Sequence, residues 1–114
     1  MRRVAPDRSK YKAMWLFAVY DLPVKTRQDR REYTRFHKAL LDQGFSMLQF
    51  SVYARYCSSD ERSRSYRKHI RAILPPGGEV RVLALTDHQF AGMEVYRAKT
   101  RVGGEKRPEQ LLLF

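Results

Sequence analysis

The sequence predicts one α+β domain: an antiparallel sheet with two helices on one face. Three observations carry this. Residues 14–21 (MWLFAVYD) form a short run of large uncharged residues ending in one carboxylate, with Pro23 just behind. That is the pattern of a strand buried on both faces. Residues 27–43 and 58–74 each space their apolar side chains along one helical face. Further strand-like segments, bounded by glycine and proline, separate and follow these helices.

Taken in order, residues 1–13 carry five basic residues, one acid and a proline, with no periodicity, and read as a mobile basic arm. After the first strand, Pro23 forbids continued ladder pairing and turns the chain. Thr26 is the expected N-cap of a helix over 27–43, with Asp29 completing a weaker form of the capping box. Tyr33, Phe36, Leu40, His37 and Leu41 mark its buried side, and Gly44 is its expected end. Residues 45–57 read as one strand. Alternation over 46–53 sets Ser46, Leu48, Phe50 and Val52 toward the core, with Met47, Gln49, Ser51 and Tyr53 opposite.

Ser58 and Glu61 have the spacing of a capping box for the second helix. Tyr66, Ile70, Ile73 and Leu74 form its apolar stripe, and Pro75-Pro76-Gly77-Gly78 ends it. A third strand over 79–86 turns Val80, Val82 and Ala84 to the core, residues 87–92 form a loop, and 93–97 alternate as a short fourth strand. The domain division is therefore a basic arm (1–13), a folded domain (14–97), and a connector with an apolar tail (98–114). Leu111, Leu112, Leu113 and Phe114 are a liability in water and call for a groove or a sheet edge. Strand addition to another chain and docking on the same domain both satisfy them.

This arrangement matches the ferredoxin-like split βαβ, a βαββαβ-type fold. Its helices cover one sheet face, yet the first strand is apolar on both. A sheet-to-sheet homodimer is the simplest way to cover the second face.

A formal net charge of +11 points to a polyanionic partner, nucleic acid first. The basic side chains gather in two stripes, Arg27, Arg31, Arg35 and Lys38 on the first helix and Arg64, Arg67, Lys68 and Arg71 on the second. Such stripes suit duplex backbones without reading sequence, and also suit plain solvation. No apolar run approaches the roughly 20 residues of a membrane span, and the N-terminus has no apolar signal-peptide core. One cysteine excludes an intrachain disulfide and favours a reducing cytoplasm. Cys57 itself reads as a small apolar core residue rather than a nucleophile.

Asp21 is an acid where a central strand leaves the sheet, a common place for chemistry in α/β architectures. One carboxylate is a poor Mg²⁺ site, and two copies near a dimer axis make an acceptable one. Ser51 and Tyr53 are the nearest polar candidates for positioning a substrate. Asp87 with His88 is a weaker second pair, better read as a polar turn.

Tyr20-Asp21-Leu22-Pro23, the basic helix after it, Met47-Leu48-Gln49-Phe50-Ser51-Val52-Tyr53 and the Pro75-Pro76-Gly77 break together resemble the CRISPR-associated Cas-two family over residues 14–97, most of all its type II members. The resemblance implies a ferredoxin-like homodimer acting in spacer acquisition. It implies a dimer that bridges two dimers of the Cas-one integrase and holds a DNA duplex. The family's metal-binding aspartate maps onto Asp21, which implies Mg²⁺ shared between protomers and a metal-dependent endonuclease on RNA or duplex DNA. It also implies that the segment holding Leu111 to Phe114 joins a sheet edge or the integrase. Residues 1–13 lie outside the family's usual pattern. Two functions follow, a scaffold and a nuclease, the scaffold being the expected biological role. A non-catalytic RNA-binding module is the alternative.

Overall fold

The computed structural model describes residues 12–108. Leu111 to Phe114 and all but the last two residues of the basic arm lie outside the described residues. The elements are β1 (Met14–Asp21), α1 (Arg27–Asp42), β2 (Ser46–Gln49), β3 (Val52–Cys57), α2 (Asp60–Ala72), β4 (Glu79–Thr86), α3 (Asp87–Ala91), β5 (Val95–Arg97) and β6 (Thr100–Val102). The first four strands form one antiparallel sheet in the order β2-β3-β1-β4, the ferredoxin-like arrangement.

Strand β1 sits at the centre because it is apolar on both sides. Leu16, Ala18, Tyr20 and, across the ladders, Tyr53 and Cys57 pack under α1 and α2 with Phe36, Leu40 and Ile70. Val80, Val82 and Ala84 face this core from β4. Trp15 and Phe17 point the other way, with Ala54 and Phe90. Helix α1 begins where expected, with Thr26 and Asp29 completing a capping box, and Gly44 follows at φ +85°. Helix α2 is capped by Ser59 rather than Ser58, and Leu74 lies exposed beyond its end.

The segment 45–57 is not one strand. It folds back between β2 and β3 through Phe50 and Ser51, so the alternation breaks there. Phe50 is 78% exposed at the turn, Leu48 and Val52 join the second core, and Tyr53 is buried beneath α1. Ser46 pairs with Ala54 and Met47 with Tyr53, so the expected core face is reversed along the whole segment from Ser46 onward. This hairpin supplies the strand that makes β4 the fourth of the sheet. Residues 95–97 consequently pair with 100–102 in a separate ribbon rather than extending the sheet. The segment 87–92 is also more ordered than a loop. Thr86 and Gln89 form a capping box for α3, which lays Phe90 on the second sheet face.

Ser51 sits in the left-handed region at φ 62°, where an L side chain crowds its own backbone. Its carbonyl accepts from the Tyr20 amide at 3.1 Å, which holds the turn against β1. Replacing Ser51 with Gly should raise stability by about 1 kcal/mol. A urea midpoint moving upward checks this, and a midpoint moving downward contradicts it.

The Tyr20 hydroxyl is buried with no hydrogen-bond partner among the described residues. Burial, with Tyr53 and Tyr33 close by, pushes its pKa well above the ordinary tyrosine value. Above about pH 10 the unfolded chain releases this proton while the folded chain keeps it. The associated stability is fully present below that pH and is lost progressively as pH rises above it toward the raised folded-state pKa. Tyr20→Phe should flatten this alkaline loss with little cost at neutral pH, since no hydrogen bond is removed. Melting curves across the alkaline range read it directly.

Candidate nucleic-acid interface and carboxylate site

The second face of the sheet is built in rows. Trp15, Phe17, Val19 and Asp21 run along β1. Tyr56, Ala54 and Val52 lie opposite them on β3, and Leu85, Leu83, Arg81 and Glu79 lie opposite on β4. At the Trp15 end, α3 covers the face. Phe90 stacks on Trp15 with ring centres 3.9 Å apart, and the Trp15 indole N–H donates to Asp87 Oδ1 at 2.9 Å. Asp87 also lies 3.8 Å from Arg107, so it serves as an anchor for α3 and the connector, and its pairing with His88 is a matter of sequence only. Beyond α3 the face is open. Leu83 is 42% exposed there, and Val19, Val52 and Leu48 are partly buried across the same face.

Asp21 closes the open end. It is exposed, and its carboxylate has no hydrogen-bond or ion-pair partner among the described residues. Glu79 is its direct cross-strand neighbour. Such pairs share a face with Cβ atoms about 5 Å apart. Glu79 Oε1 is 2.6 Å from Arg81, so a cation and a second carboxylate stand beside Asp21. These residues, with Val19, line one shallow cavity. Among the described residues no group of three or more His, Cys, Asp or Glu side chains is gathered as for a metal.

Ser51 and Tyr53 do not share this cavity. The Ser51 hydroxyl faces the helix side, 3.4 Å from the Tyr33 hydroxyl. Tyr53 is 1% exposed, and its hydroxyl bonds His37 Nδ1 under α1. Both stand on the opposite side of the sheet from Asp21, as the β3 register requires. Cys57 is buried, and burial pushes its thiol pKa up, which leaves it a poor nucleophile.

On the outer layer, Arg27, Arg31, Arg35 and Lys38 line one open groove along α1, joined by Arg30 and Thr34. They are not equivalent. Arg30 is tied to the Val24 and Lys25 carbonyls, and Arg35 is engaged by Glu32 at 2.9 Å and by the Leu74 carbonyl. Arg27, Arg31 and Lys38 have no carboxylate partner among the described residues. On α2, Arg64 pairs with Asp60 at 3.0 Å, Arg67 is half-buried and Arg71 is exposed. No helix among the described residues is long and apolar enough to cross a membrane.

A profile of the CRISPR associated protein Cas2 family matches residues 14–93. The chain belongs to this family. The CRISPR-associated endoribonuclease Cas2 of Parvibaculum lavamentivorans is 46% identical over 101 residues, covering 89% of this chain and 100% of that protein. The protein of the same name from Flavobacterium psychrophilum is 42% identical over 106 residues, covering 93% and 92%. A solved crystal structure of a protein named cas2 superposes with a TM-score of 0.53 at 19% identity, over 86% of this chain and 95% of that one, and bears out the fold. Within this Cas2 fold, Glu79 and Arg81 are the site residues that sequence reading missed. They lie far from Asp21 in the chain, and only the β1–β4 register brings them beside it.

Proposed function

We propose that this Cas2-family chain is a homodimeric nucleic-acid platform for CRISPR spacer acquisition, bridging dimers of the Cas-one integrase in the cytoplasm. In this reading a metal-dependent endonuclease activity resides at paired copies of Asp21. One observation carries it. The sheet has helices α1 and α2 on one face, while its other face stays apolar and open around Leu83 and ends at Asp21, which has no partner among the described residues. A second copy laid on this face buries Leu83, Val19 and Val52 and brings two Asp21 carboxylates toward each other. It also leaves both α1 grooves on the outside, where a duplex backbone is met without base readout.

The donor set beside Asp21 suits a hard cation. Asp21 and Glu79 offer only carboxylate oxygens, the ligands Mg²⁺ takes with water. The shortage of a third ligand in one chain is met by Asp21 of a second copy. A bound divalent cation supplies charge neutralisation at phosphate and a more acidic water. The chain's own residues hold and orient. Arg81 draws the phosphodiester toward the cavity, Glu79 fixes Arg81, and Asp21 is the ligand whose loss is felt most.

Asp21→Asn should reduce metal-dependent cleavage by rigorously purified protein about 100-fold or more, and leave duplex binding nearly unchanged. Unchanged cleavage removes Asp21 from the chemistry and leaves the platform intact. The RNA-binding module is disfavoured by the second face itself. Its aromatic residues Trp15 and Phe17 are covered by Phe90, and Tyr56 is partly buried edge-on against Trp15, rather than free to stack bases.

A further inference from the structure

A cavity between β3 and the start of α2 takes no part in the platform described above. It encloses about 260 Å³ and is lined by Arg55, Tyr56, Cys57, Ser58, Arg62 and Tyr66, with Pro108 at one side. Arg55 is its unusual member. The guanidinium lies over the Tyr66 ring, 4.1 Å from its centre, and donates to the Tyr66 hydroxyl. On the other side it packs against Gly44, where an added Cβ would come within 2.7 Å of Nη1. Arg55 Nε is itself out of solvent and has no acceptor among the described residues.

The charge balance points the same way. Arg55 carries five N–H donors, and the Tyr66 hydroxyl is their one acceptor among the described residues. No carboxylate there lies within ion-pair distance of Arg55 or of Arg62. Of the nearby acids, Asp60 is taken by Arg64 and Glu105 lines the adjoining groove. Among the described residues, a half-buried guanidinium held by packing, with donors to spare and a second guanidinium beside it, is left short of an anion. The start of α2 adds nothing to this count. Ser59 already caps it, and Asp60 and Glu61 occupy its first turn.

Shape selects the kind of anion. The cavity is walled, unlike the open groove along α1. A phosphate within a strand must pass in and out again, whereas a phosphate at a strand end enters alone. A monoester also carries about −1.5 to −2 charges, matching two guanidiniums. We propose that this cavity receives the terminal phosphate of a nucleic-acid strand, held by Arg55 and Arg62. This rests on the nucleic-acid reading above and adds recognition of strand ends to it.

Two measurements on the full chain test it. In the first, isotope-labelled protein is titrated with inorganic phosphate. Saturable amide shifts should gather over 55–66, disappear in Arg62→Ala, and persist in Arg31→Ala. The absence of such shifts, or their survival in Arg62→Ala, overturns the site. In the second, single strands of one sequence carrying a terminal phosphate or a terminal hydroxyl are compared. The phosphorylated strand should bind about tenfold tighter, and Arg62→Ala should erase that difference. Equal binding of the two strands overturns the strand-end assignment. If phosphate binds at the cavity while the wild-type protein holds neither strand, the nucleic-acid reading fails and the anion site stands.

Discussion

Leu83→Glu should convert the protein from a dimer to a monomer that still folds. Leu83 stands on the open face of β4, opposite Phe17, and is 42% exposed among the described residues. In a single chain the new carboxylate stays in water, so the melting temperature should barely move. In a sheet-to-sheet dimer the two-fold axis places two such carboxylates in one apolar interface. An unpaired buried charge costs about 3 kcal/mol or more, which weakens the dimer at least about 100-fold. Sedimentation across a concentration series reads the shift. A dimer of unchanged affinity means that the apolar face is not the interface.

The triple change of Arg27, Arg31 and Arg35 to Ala should lower duplex affinity by about 10- to 100-fold at low salt. It should also flatten the dependence of log affinity on log salt by about 2 to 3 for each α1 groove, since each lost phosphate contact removes about 0.9 from the slope. Arg27 and Arg31 should carry most of the effect, because Arg35 is already engaged by Glu32 and the Leu74 carbonyl. Scrambled duplexes should lose affinity equally, as phosphate contacts carry no sequence information. Binding that survives the triple change at an unchanged slope moves the contact to the α2 stripe, where Lys68 and Arg71 are exposed and have no ion-pair partner among the described residues.

The fold was legible wherever one residue type served one role. The apolar run 14–21 matches β1 residue for residue, and Thr26, Asp29 and Gly44 bracket α1 as read. The reading failed at turns made without turn residues. Phe50 and Ser51 reverse the chain with no glycine, asparagine or proline, and Ser51 takes a left-handed backbone that its residue type does not advertise. Alternation from 46 to 53 therefore looked continuous across a reversal. The turn between β5 and β6 is equally silent, with Ala98 and Lys99 both at positive φ. Helix α3 spans only five residues, too few for a helical period to show, although Thr86 and Gln89 carry its cap signal.

Of the carboxylate site, sequence reading reached Asp21 because a single acid at the end of an apolar strand stands out. Glu79 and Arg81 read as ordinary charges at the start of a strand. They become part of the site only through antiparallel pairing, which sets Glu79 against Asp21 and Arg81 against Val19. The expectation for Ser51 and Tyr53 fails for a different reason: both sheet faces carry apolar residues, and Leu48 and Val52 belong to the second face, which puts Tyr53 beneath α1, on the far side of the sheet from Asp21.

The claim that Asp21 works as one of a pair is tested most directly by the separation of its two copies. Asp21→Cys in a Cys57→Ala background places a single nitroxide label on each chain. A sheet-to-sheet dimer predicts strong dipolar broadening between labels, lost on adding Leu83→Glu. A dimer that survives with its labels magnetically isolated would contradict the paired site.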